Sequence, residues 1–102
     1  SHNQDKVSLG TIAARDCLRV IELTEQVVVA VLLGAAQALD LRFRSQVLTG
    51  QDLSPGLDSL HKRIRARSAF VAEDRPLEPD LRAMLELVRR RELACCWAAS
   101  SA

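Results

Sequence analysis

The chain has 102 residues, of which 48% are hydrophobic but only 3% aromatic, and its formal net charge is +1. That length holds one small domain with a modest core, and a near-neutral chain has no long-range field for drawing in nucleic acid or an anionic membrane. The apolar content is Val, Leu, Ile and Ala, which suits helix packing better than stacking on bases or sugars, and the three cysteines, Cys17, Cys95 and Cys96, lack the C-x-x-C spacing of a zinc knuckle or a disulfide framework and point to a reducing, cytosolic setting without a metal.

Ser1 to Lys6 is polar and contains a tight cluster of hydrogen-bonding side chains, His2-Asn3-Gln4-Asp5. Taken alone, it reads as a frayed, solvated terminus with no signal peptide. Ser8 or Thr11 can cap a helix over about 8–41. From Ile12 to Gln26 the polar residues Arg15, Arg19, Glu22 and Gln26 recur every three or four positions, with Ile12, Leu18, Ile21 and Val28 opposite them, which predicts an amphipathic helix. The polar stripe then stops. Val27 to Ala36 has no polar side chain, so the segment must be covered on every side, yet the run is about half the roughly 20 residues needed to cross a membrane. A helix from Val7 to Leu41 is roughly 50 Å long, far beyond the 13 Å or so radius of gyration of a compact chain this size. Other chain segments must therefore cover it. Gly34, Ala35, Ala36 and Ala38 allow a neighbouring helix to approach closely, and Gln37 needs a hydrogen-bonding partner if it is buried.

Phe43 to Gly50 reads as a connector. Ser54 as N-cap and Pro55 at the first helical position announce a second helix. Its apolar stripe, Leu57, Leu60 and Ile64, is surrounded by His61, Lys62, Arg63, Arg65 and Arg67, a solvated basic face with no interleaved aromatic residue for nucleic-acid stacking. His61 is expected at the surface. After a turn-rich link over 72–78, Pro79 opens a third helix in which Leu81, Met84, Leu85 and Val88 share one face. Arg89, Arg90 and Arg91 fall in its last turn, where cations complement the helix dipole. Residues 94–102, including Trp97, have no periodicity and read as a frayed tail. The expectation is an all-α chain, 1–102 forming a single helical segment of a larger bundle.

The run His2-Asn3-Gln4-Asp5-x-Val7-Ser8-Leu9-Gly10-Thr11-Ile12-Ala13-Ala14-Arg15, with Ala36-Gln37-Ala38-Leu39-Asp40-Leu41-Arg42 and Asp74-Arg75-Pro76-Leu77 downstream, resembles the C-terminal portion of aromatic amino-acid ammonia-lyases and the related aminomutases. The resemblance implies a helical tetramer with long helices in a central bundle, eliminating ammonia from an aromatic amino acid or moving the amine, by means of an electrophilic methylidene-imidazolone made from an Ala-Ser-Gly tripeptide. This chain contains neither that tripeptide nor any tyrosine to serve as the family's base. By the resemblance it is inactive alone, with Asn3 and Gln4 as its contacts to cofactor and substrate. An amide offers both a donor and an acceptor without adding charge. Histidine-directed members carry Asn-Gln-Glu-Asp-His-Val here, whereas the shorter Asp5-Lys6-Val7 looks more like phenylalanine- or tyrosine-directed ones. The competing reading is a non-enzymatic helical oligomerisation module.

Overall fold

A computed structural model describes the backbone of residues 2–93 and the side chains of residues 9–93. Among the described residues the chain is helical without strands: α1 spans His2–Arg44, a 3-10 turn Gly50–Asp52, α2 Pro55–Arg67 and α3 Glu78–Arg89. The all-α expectation holds. The expected tail over 94–102, with Cys95, Cys96 and Trp97, lies outside the described residues.

The long helix is longer than its local signals suggest. Its 43 residues correspond to about 65 Å of rise, in keeping with a longest dimension of 67 Å and a radius of gyration of 18.7 Å. Ser8, Gly10 and Thr11 lie inside α1 rather than at its start, because the helix already runs from His2. A single internal glycine costs a helix only about 1 kcal/mol, too little to end one that continues on both sides.

Two helix ends are built from unexpected residues. Val47 N–H donates to Arg42 C=O (3.1 Å) and Gln46 N–H to Phe43 C=O (3.1 Å), with Gln46 left-handed at φ 61°. Glu92 N–H to Leu87 C=O (3.2 Å) and Arg91 N–H to Val88 C=O (3.0 Å) repeat the pattern at the end of α3, around Arg91 at φ 57°. These paired bonds are a Schellman closure, which satisfies the last carbonyls of a helix and usually places glycine at the left-handed position.

The starts of α2 and α3 are legible. Ser54 Oγ accepts from Leu57 N–H at 3.3 Å, with Pro55 at the first helical position. α3 begins one residue before Pro79, at Glu78. Val29 and Ala36 from α1, Ile64 from α2, and Met84 and Leu87 from α3 form the buried core. Val29 and Met84 are fully enclosed. The chain covers only this one face of its apolar run, for Val27 and Val31 each stay 62% exposed.

Candidate functional site

Asn3 and Gln4 lie in the first turns of α1, and their side chains fall outside the described part. Thirty-six residues separate Gln4 from Asp40, about 54 Å along the helix. α1 thus keeps the two sequence-predicted site residues far from the polar cluster at its other end.

That cluster is centred on Asp40. The residue follows Val29, Leu33 and Ala36 at helical spacing and so projects from the face that α2 and α3 cover. His61 and Arg65, one turn apart on α2, meet its carboxylate: His61 Nε2 lies 2.9 Å from Oδ1, and Arg65 Nε donates to Oδ2 at 2.6 Å. Burial pushes the Asp40 pKa up, but hydrogen bonds from Arg65 and His61, with their charges, outweigh it and hold the group below its ordinary value. Arg65 Nη1 also donates to Ser68 C=O at 3.1 Å, while Nη2 is buried without a protein partner. The Arg65 guanidinium lies 5.9 Å and that of Arg44 3.6 Å from the Phe70 ring centre, a cation–π arrangement that ties the ends of α1 and α2 to the following link. His61 is therefore not the exposed residue expected from sequence, its side chain being only 18% exposed. The basic face is also less free than its composition suggests: Lys62 pairs with Asp58, Arg65 with Asp40 and Arg67 with Glu92.

Gln37 finds its partner in the backbone of Val71. Its Nε2 donates to Val71 C=O at 2.9 Å, and its Oε1 accepts from Val71 N–H at 3.1 Å. Both halves of the amide are satisfied, as burial requires. Farther along, Arg75 donates from Nη1 and Nη2 to the two oxygens of Asp80, each at 2.9 Å, and from Nη2 to Ala69 C=O at 2.8 Å. Ser68 Oγ donates to the same carboxylate. The Arg75 guanidinium first, and the Ser68 hydroxyl second, hold the Asp80 carboxyl at about 2, below the usual carboxylate range. Arg89, for which the helix dipole sufficed as an explanation, reaches across to α1, with Nε 2.6 Å from Glu25 Oε2.

These contacts join helices. His61 Nε2 is engaged by Asp40 and Ser68 Oγ by Asp80, so neither forms a nucleophile–base pair, and among the described residues no three metal-ligating side chains converge. Sequence reasoning missed the Asp40–His61–Arg65 clasp. The available signal was register, because Asp40 continues the core face of α1 while His61 and Arg65 flank Ile64 on α2. Among the described residues no helix is long and apolar enough to cross a membrane.

The family model for aromatic amino acid lyases matches residues 1–66. A histidine ammonia-lyase of Symbiobacterium thermophilum is 38% identical over 91% of this chain and 17% of its own length. One from Natranaerobius thermophilus is 35% identical over 86% of this chain and 16% of its own. A tyrosine ammonia-lyase of Cupriavidus metallidurans is 32% identical over 89% of this chain and 16% of its own. The chain thus spans about a sixth of the length of the curated relatives it matches. No solved structure matches it significantly.

Proposed function

The chain belongs to the aromatic amino acid lyase family, and from that premise we propose that it is one segment, the C-terminal one, of a larger ammonia-lyase whose active site is completed by other segments. One observation carries the reading: the match covers 91% of this chain but 17% of the relative. The chain brings the scaffold and two amides. The electrophile and the base come from elsewhere, since neither an Ala-Ser-Gly tripeptide nor a tyrosine occurs here. When formed in the parent enzyme, methylidene-imidazolone supplies the electrophile that makes the amine a leaving group. Asn3 and Gln4 orient cofactor or substrate by hydrogen bonds, and two neutral amides suit that role because they add no competing charge.

The substrate on this reading is phenylalanine or tyrosine, supported by the short Asp5-Lys6-Val7 stretch and by the tyrosine-named relative. Histidine is the second reading, favoured by the 38% identical histidine ammonia-lyase. The parent works as a homo-tetramer in the cytosol, and the unpaired Cys17 thiol accords with a reducing setting. An aminomutase would use the same residues and retain the amine in its product. A non-enzymatic oligomerisation module would use only the apolar surface of α1.

The test is made in the full polypeptide, with ultraviolet detection of cinnamate, coumarate or urocanate from phenylalanine, tyrosine or histidine. Gln4→Ala removes a preorganised hydrogen bond and lowers kcat by roughly 10- to 1,000-fold; Asn3→Ala acts alike. Lys62→Ala, whose partner is a solvent-exposed carboxylate one turn away, leaves turnover intact. Unchanged turnover in both amide variants contradicts the assignment of these residues, and absence of all three products together with an amine-retaining product moves the reading to a mutase.

A further inference from the structure

We draw no further inference here: the strongest candidate, the apolar cleft between α1, the 3-10 turn and α2 lined by Leu32, Leu39, Leu57, Leu60, Ile64 and His61, carries nothing, because its one polar side chain, His61, is already engaged by Asp40 at 2.9 Å and nothing in the structure shows what covers the cleft in a chain that spans about a sixth of the length of its curated relatives.

Discussion

α1 presents two different environments along a single helix. From Leu9 to Thr24 every described side chain is exposed. From Glu25 to Arg44 the same helix is held by Glu25–Arg89, Gln37–Val71 and Asp40 with His61 and Arg65, and it buries Val29 and Ala36. The contrast does not come from helix propensity. The exposed half has Leu18, Val20, Ile21 and Leu23, and the covered half exposes Val27 and Val31. What differs is that α2 and α3 fold back onto the second half only, where polar groups at core register fix their position. The segment thus organises one face of α1 and leaves the other exposed.

Removing the shared core affects the contrast most. Met84 is fully enclosed between the helices, and Met84→Ala is expected to cost about 3 kcal/mol, seen as a lower denaturation midpoint and faster amide exchange in α3 and in α1 beyond Glu25. Exchange from Leu9 to Thr24 should not respond. Asp40→Ala comes next, at roughly 2 to 3 kcal/mol, because it leaves the largely buried Arg65 guanidinium without its carboxylate. A double-mutant cycle with Arg65→Ala checks that the loss belongs to the pair.

Acid titration acts on the link between α2 and α3. The Asp80 carboxyl is held at about 2 in the folded chain against an ordinary 3.8, so the unfolded chain binds the proton more readily. The resulting stability, on the order of 2 kcal/mol, is fully present above about pH 4 and is lost as the pH falls through 3.8 toward 2. Arg75→Gln should flatten this part of the stability–pH curve. Arg89→Ala is expected to have the smallest effect, about 0.5 kcal/mol, since the Arg89 side chain is 53% exposed. A loss as large as that of Asp40→Ala would mean that the α1–α3 contact depends on this ion pair more than on Met84 and Leu87.

Sequence revealed the parts governed by local rules. Ser54-Pro55 and Pro79 mark the starts of α2 and α3 to within a residue, and the spacing of Leu81, Met84, Leu85 and Val88 identifies the packed face. The ends were hidden because Gln46 and Arg91 occupy left-handed positions that glycine usually marks. The N-terminal extent of α1 was hidden because Ser8, Gly10 and Thr11 resemble a helix start, although an uninterrupted helix passes through them. For the site, Asn3 and Gln4 are proposed from resemblance alone. The Asp40 clasp is not legible in the sequence, since three residues separated by as many as 25 positions meet only after α2 folds back. Composition made His61 and Arg65 look solvated, and tertiary contact with one carboxylate overrode it.

Amide hydrogen exchange along α1, measured on the dilute 102-residue chain, tests the two-environment account most directly. The account predicts a gradient within one helix, with strong protection from Val29 to Leu41, weak protection from Leu9 to Thr24, and collapse of the difference in Asp40→Ala. Equal protection in both halves of the dilute chain, or a gradient that survives Asp40→Ala unchanged, would contradict it.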